Sequence, residues 1–444
     1  MPDRPNVLIL AVDTLRASRL GCYGYTRPTS PHIDALASEG VLAEAVFSPA
    51  IPTFPSFTTF YTGQHPLTHG VLAHGGPAQL AREAPHLVPV FLEAGYTTCA
   101  VDNLMRERLW FGRGYEFYID PGMRRTLSLT VTCEELNARA IEWLRHHRDE
   151  PFFLFVHYWD PHTPYLPPAH YVPLFYDGGQ PTDPNNHSLD GMWAHPNGMI
   201  ARDSWLRTPQ GLITDANYVA ALYDAEIRYL DDGIGQILHA LDELRLAENT
   251  LVLLMADHGE SMTEHGIYFD HFGLYDCTIQ VPFLARWPGR LPAGTRLPQM
   301  VQTTDWAPTI LEAVGLPVPE AMEGESLWPL LTGEATGGGR ERIISVEATW
   351  QAKWSLRTTR YKFILDRERD ADGAPRHELY DLAADPGETI NLVEAQPGLA
   401  AEMEAELEAW IARRLHELGK AEDPLIAEGA VLKSTWMLHG GWVG

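Results

Sequence analysis

Cysteine is scarce in this 444-residue chain: Cys22, Cys99, Cys133 and Cys277 lie far apart, with no Cys-x-x-Cys pair. That spacing excludes a dense disulfide framework and predicts four reduced, mostly buried thiols. Basic residues are also few, 33 Lys and Arg against 59 Asp and Glu, giving a formal net charge of −26. Such an acidic surface repels polyanions, which argues against nucleic acid or an anionic membrane as a partner. A small anionic substrate stays compatible with it if the site carries its own positive charge. No stretch approaches the roughly 18 apolar residues of a membrane span. The N-terminal apolar stretch, Val7 to Val12, is too short for a signal sequence and runs straight into Asp13 and Arg16. A soluble, cytoplasmic protein is therefore predicted. With 45% hydrophobic and 21% charged residues, the composition is globular and excludes a disordered or collagen-like chain.

Three near-continuous apolar runs are present: Asn6–Val12, Phe152–Val156 and Thr250–Ala256. Runs of this kind suit parallel strands covered by helices on both faces. Helical patterns fall between them, over Pro31–Glu39, Leu87–Ala94, Glu134–Arg145 and Tyr218–Leu244. The alternation predicts an α/β fold with a doubly wound, mostly parallel sheet. Each strand is followed by polar chemistry: Asp13, then His157 to His162, then Asp257-His258-Gly259-Glu260. Ligands of open α/β sheets bind at the carboxyl ends of the strands, so the site is expected at that edge.

The composition also suggests boundaries. A catalytic domain is expected over 1–336, with 163–215, rich in Pro, Asn, Gly, His and Trp, as an insertion or lid over the site. Pro329–Thr336 and the three glycines 337–339 read as a linker. A small C-terminal α+β subdomain over 337–424 follows, with short alternating stretches at Arg342–Glu347, Trp354–Arg357 and Tyr361–Leu365 and a helix over Leu399–Leu415. A tail over 425–444 carries Trp436 and Trp442 and is a candidate surface for homo-oligomer formation. Trp193, His195, Trp205, Trp436 and Trp442 are either an aromatic substrate pocket or ordinary core.

Asp257 and His258, with Asp13 from another strand end, form an oxygen-rich set with one nitrogen, which suits a divalent Mn, Zn, Mg or Ca ion. The bland alternative is a helix-capping Asp257 and a hydrogen-bonded core His258. In Ile51-Pro52-Thr53-Phe54-Pro55-Ser56, Pro55 fits a first helical position and Thr53 sits just before it. A hydroxyl there lies at the positive end of a helix and, beside a divalent ion, becomes a competent nucleophile. The alternative is a simple N-cap threonine.

The segments LILAVDTLRASRLGCYGYTRPTSPHIDALASEGV, PTFPSFTTFYTGQHPLTHGV, PFFLFVHYWDPHTPY, ADHGESMTEHG and FDHFGLYDCTIQVPFLARWPG resemble the sulfatase branch of the alkaline phosphatase superfamily. TDWAPTILEAVGLPVP extends the likeness, and MEGESLWPLLTG and ELYDLAADPGETINLV resemble that family's C-terminal part. The resemblance implies an alkaline-phosphatase-like fold, with Asp13, Asp257 and His258 as metal ligands and Thr53 as nucleophile. It also implies that His162 contacts the transferred group or protonates the leaving oxygen. His271 falls where many sulfatases place a lysine. Arg16 matches a basic residue beside the metal, an ordinary ion pair being the alternative. One ion is implied, or two if His157, Asp160, His162 and His271 hold a second.

Two departures matter. Sulfatases carry Cys or Ser at the nucleophile, converted to formylglycine, with Arg four residues on; here Thr53 and Phe57 stand there. Threonine cannot become that aldehyde, so no formylglycine is expected. Threonine is typical of the phosphorus-acting relatives. Thr14 replaces a second aspartate ligand common in sulfatases. The reading is thus a metal-dependent hydrolase of a small anionic ester, a phosphate diester or phosphonate monoester, acting through a covalent phospho-Thr53 with side activity on sulfate esters. The alternatives are a sulfatase using unmodified Thr53, a phosphotransferase or mutase, and a non-catalytic binding protein.

Overall fold

A computed structural model describes residues 4–123, 128–368 and 377–434. The runs Asn6–Val12 and Thr250–Ala256 are strands with the predicted bounds, every residue buried. The third strand runs from Phe152 to Tyr158, two residues beyond expectation, so His157 lies inside the sheet. Its partners, described below, satisfy the ring there.

The central sheet has eight strands in the order Thr295–Gln302, Val41–Phe47, Gln280–Arg286, Thr250–Ala256, Asn6–Val12, Phe152–Tyr158, Thr97–Val101, Phe117–Ile119. Among the described residues, only Gln280–Arg286 runs antiparallel to its neighbours in this sheet. The other pairings are parallel, so the expected mostly parallel sheet is present. Val12 pairs with both Tyr158 and Ala256, which brings Asp13 and Asp257 to adjacent places on one edge.

The predicted helices form with ends shifted by one or two residues: Pro31–Ser38, Leu87–Glu93, Cys133–His147 and Ala216–Glu243. Thr132 and Glu135 form a reciprocal capping box at the start of Cys133–His147, and Arg145, His146 and His147 occupy its last turn, complementing the helix dipole. Asp215 caps Ala216–Glu243 by accepting from the Asn217 amide.

A second sheet has the order His377–Asp381, Tyr361–Asp366, Lys353–Arg357, Ile343–Glu347, Ala50–Ile51. Helix Pro397–Glu417 lays Ala400, Met403, Leu407 and Ile411 on it, the spacing of one helix face. The expected C-terminal α+β part is thus present, but its edge strand Ala50–Ile51 comes from the N-terminal region and pairs parallel to Val346 and Glu347. Two residues later the chain reaches Thr53, so the small sheet anchors the candidate nucleophile. The linker expected from Pro329 begins instead within a helical turn, Trp328–Leu331. Of the tail, Leu425 is buried in the small-sheet core, and the amides of Val431 and Leu432 bond to the carbonyls of Ala348 and Thr349. Trp436 and Trp442 lie outside the described residues. Among the described residues, no helix is long and apolar enough to cross a membrane.

Candidate active site

Strand Asn6–Val12 ends in Asp13, whose side chain is fully buried. Thr14 follows with φ 55°, a left-handed conformation that a β-branched residue rarely adopts. From that position its amide donates to Asp257 Oδ1 at 3.1 Å. Asp257 Oδ1 also accepts from the His258 amide at 2.8 Å. Asp257 Oδ2, buried, accepts no hydrogen bond among the described residues. His258 Nδ1 bonds the Gly259 carbonyl at 2.9 Å, which leaves Nε2 directed at Asp257 Oδ2 (3.3 Å) and Asp13 Oδ1 (3.7 Å). Gly259 is needed for close approach rather than for a special turn: a Cβ there would lie 2.2 Å from the Cys277 carbonyl oxygen.

The ligand atoms of Asp13, Asp257 and His258 all lie within 4.8 Å of one another, and all three residues are buried. Burial and the charge of Asp13 push the Asp257 carboxyl well above its usual value, more than the nearby charge of His157 offsets. The unpartnered Oδ2 and the outward Nε2 fit a divalent cation, and these residues suit it in number and type.

Helix Thr53–Thr62 starts at Thr53 itself, with Pro52 as its cap residue. Pro55 is thus the third helical residue rather than the first, tolerated because the first-turn amides have no intrahelical partner. Among the described residues, the Thr53 hydroxyl does not bond to a helix amide. Its Oγ1 instead lies 3.4 Å from Asp13 Oδ2 and 3.5 Å from His258 Nε2. The nucleophile candidate and the three ligand candidates form one cluster.

His271 and His162 flank it. The His271 ring centre lies 4.5 Å from that of His258 and 5.1 Å from that of His162. His271 Nδ1 sits 3.2 Å from Glu260 Oε2. Burial would lower its pKa, but the hydrogen bond and charge of Glu260 and the charge of Asp270 raise it to about 9. This imidazolium is the local positive charge that the acidic composition called for. His162 Nδ1 bonds the Thr163 carbonyl at 2.6 Å, and burial lowers its pKa.

His157 underlies Asp13. Its Nδ1 bonds Asp102 Oδ1 at 2.8 Å and its Nε2 faces Asp13 Oδ2 at 3.5 Å. Burial opposes its charge, yet the hydrogen bond to Asp102 and the negative charges of Asp102 and Asp13 hold its pKa up at about 9.

Two sequence assignments are corrected. Asp160 turns away from the site. Its Oδ2 accepts from the Cys133 amide at 2.7 Å, at the positive end of helix Cys133–His147, and burial pushes its pKa up to about 6 against the hydrogen bonds from Glu226 and that amide. His157, Asp160, His162 and His271 therefore do not converge on a second ion. Arg16 is an ion-paired arginine: its Nη1 contacts Glu264 Oε1 at 2.7 Å and the Glu260 carbonyl at 3.3 Å. It lines a polar cleft with Arg19 and Arg27 rather than the cavity over Thr53.

That cavity encloses about 550 Å³ and is lined by Thr53, His162 and His271. Residues of 163–215 form part of its wall, Trp205 among them. Trp193 packs against the main core instead, and His195 caps helix Pro196–Asp203 and stacks on Phe272. Sequence reasoning missed Asp102, at the end of the short strand Thr97–Val101, where an apolar run followed by an acid was the available signal. It passed over Glu260, visible beside Asp257-His258 but without a partner in the sequence. It also missed His74, which stacks on Phe54 with ring centres 3.8 Å apart and lines the cavity; no local pattern marks it.

The sequence matches the family model described as Sulfatase over residues 5–316, and the one described as N-sulphoglucosamine sulphohydrolase, C-terminal, over residues 263–417. It is 27% identical to a Delta 4,5-hexuronate-2-O-sulfatase of Bacteroides thetaiotaomicron, across 93% of this chain and 89% of that one. It is 24% identical to an arylsulfatase of Clostridium perfringens, across 88% and 91% of the two chains. Its fold matches the crystal structure of the phosphonate monoester hydrolase of Agrobacterium radiobacter with a TM-score of 0.72 at 22% identity, covering 93% of this chain and 96% of the other. With the family model spanning most of the chain and the same fold beneath it, this protein belongs to the sulfatase family of hydrolases.

Proposed function

We propose that the protein is a metal-dependent hydrolase of phosphate diesters or phosphonate monoesters, in which the unmodified hydroxyl of Thr53 forms the transient ester. The observation carrying this reading is the Thr53 hydroxyl, bonded to no helix amide among the described residues and set 3.4 Å and 3.5 Å from Asp13 and His258. Phe57, where formylglycine-dependent relatives hold an arginine, is fully buried and supplies no cation.

A divalent Mn, Zn, Mg or Ca ion held by Asp13, Asp257, His258 and Thr53 would supply Lewis-acid chemistry, acidifying the adjacent hydroxyl and drawing charge from the ester oxygens. Thr53 Oγ1 gives up its proton to solvent and attacks phosphorus in line, forming an Oγ–P bond as the bond to the leaving alcohol's oxygen breaks. His271, as imidazolium, holds the equatorial oxygens. His162, whose charged form burial disfavours, relays a proton from solvent to the departing oxygen; its neutral ring then accepts a proton from the water that cleaves the Oγ–P bond and passes it to Thr53 Oγ1, restoring the hydroxyl.

A second reading, hydrolysis of sulfate esters by the same hydroxyl, is favoured by the family models and by the sulfatase names of the relatives above. Matched aryl phosphodiester, aryl phosphonate and aryl sulfate substrates, assayed on native protein and Thr53→Ala, separate the two. Higher kcat/KM on the phosphorus esters and a phosphoryl adduct on the Thr53 peptide support the first reading. A strong preference for sulfate moves the assignment to the second, and unchanged turnover in Thr53→Ala ends both. Product analysis with a competing alcohol distinguishes transfer from hydrolysis.

A further inference from the structure

The chamber beside Thr53 is chemically divided. At its floor stand Thr53, His162 and His271, the two imidazole rings 5.1 Å apart, beside the Asp13, Asp257 and His258 cluster. Trp159 packs on His162, and the rest of the lining includes the apolar side chains of Leu166, Met192, Ile200, Trp205 and Trp350. Lys and Arg are absent among the described residues lining it.

The two acids of the lining add no affinity for an anion. Asp270, buried, accepts from Asn197 Nδ2 at 2.7 Å and from the His271 amide at 2.9 Å. Glu347, also buried, accepts from the amides of Gly273, Trp350 and Gln351 at 2.8, 3.1 and 3.0 Å. A carboxylate or sulfate on the leaving group would lose its water, meet no Lys or Arg among the described lining residues, and face both acids. An uncharged ring or alkyl chain loses nothing on entering and buries apolar area against the tryptophans.

Resting on the hydrolase reading above, we propose that the substrate's leaving group is an uncharged, hydrophobic alcohol, aryl or long alkyl, and that this wall rejects acidic-sugar esters. Such selection works against the wrong substrate as much as for the right one.

The test uses the leaving alcohols at equilibrium, on full-length metal-loaded protein, by calorimetry and tryptophan fluorescence. The probes are 2-naphthol, 6-hydroxy-2-naphthoate, glucuronate and choline, with Ile200→Lys as the variant. Ile200 lies half-exposed at the wall, so a lysine there is compatible with folding. The expected result is that 2-naphthol binds at least about tenfold more tightly than its carboxylated twin. Ile200→Lys should narrow that gap by a similar factor, and glucuronate should not bind native protein. Equal or tighter binding of the carboxylated ring or of glucuronate overturns the proposal. So does failure of every probe to bind, and so does a preference for choline, which would make the wall a cation cage. Because these readouts need no turnover, a protein that binds naphthol yet cleaves no ester refutes the hydrolase reading alone.

Discussion

His157 Nδ1 lies 2.8 Å from Asp102 Oδ1, and neither side chain is exposed to solvent. Through its other nitrogen the same imidazole faces Asp13. Three neighbouring strand ends are thereby linked, and the orientation of a proposed metal ligand is set from behind. Replacing Asp102 by Asn keeps the shape but removes the charge that holds the imidazolium in place. Cation affinity and kcat should both fall, by about 10- to 100-fold, as for other groups that orient metal ligands. Calorimetric metal titration of Asp102→Asn checks this; unaltered affinity would show that the relay does not position Asp13.

Phe57 sits edge-on to His157 with ring centres 4.8 Å apart and is wholly buried. An arginine there would bury a second cation beside the charged His157 without a partner. Phe57→Arg should lose about 3–5 kcal/mol of stability, seen as a lower urea midpoint. A stable variant would mean that this pocket still admits the arginine found in formylglycine-dependent relatives.

Removal of the cation has a thermodynamic signature independent of substrate. Asp13 and Asp257 repel each other at the strand ends, and a divalent ion relieves that repulsion. The chelated protein should melt at a lower temperature and lose turnover. Restoring the ion at 100 times its dissociation constant should return about 2.7 kcal/mol. Affinity should weaken as pH falls, since a proton held by the raised Asp257 carboxyl competes with the ion. A melting temperature indifferent to both chelation and added cation would contradict the assignment.

His86 is buried against Tyr61, ring centres 4.8 Å apart and nearly parallel, and burial pushes its pKa down to about 3. The unfolded chain therefore binds a proton here that the folded chain refuses. The contribution of this depressed group is fully present above pH 6.5, the ordinary histidine value, and is lost as pH falls from 6.5 towards 3. His86→Phe keeps the stack and removes the titration. Its stability relative to the native protein should rise by about 1.4 kcal/mol per pH unit below 6.5. Urea unfolding at pH 7.5, 6.5 and 5.5 measures the difference, and a constant offset would exclude the buried neutral ring.

The reading of separate residues had different fates for a physical reason. Asn6–Val12 and Thr250–Ala256 are runs whose burial on both faces is written in their composition, so their bounds and the acids after them were legible. Helix ends moved by only a residue or two because capping residues such as Thr132 and Asp215 act locally. Asp160 and Arg16 are different. Each stands in a segment that resembles the family, and each could serve the site or a structural bond. Asp160 went to an amide at Cys133 and Arg16 to a carboxylate at Glu264, partners 27 and 248 positions away.

From its residues alone the chain specified an α/β sheet, the edge where chemistry gathers, and an alcohol where an aldehyde precursor is usual. Those follow from hydrophobic period and side-chain identity, which each segment carries within itself. Folding in three dimensions settled the rest: Ala50–Ile51 joining the small sheet, His157 paired with Asp102, His271 charged by Glu260, and an apolar wall over Thr53. Such pairings depend on distance and desolvation between groups remote along the chain, quantities that come into being when the strands assemble.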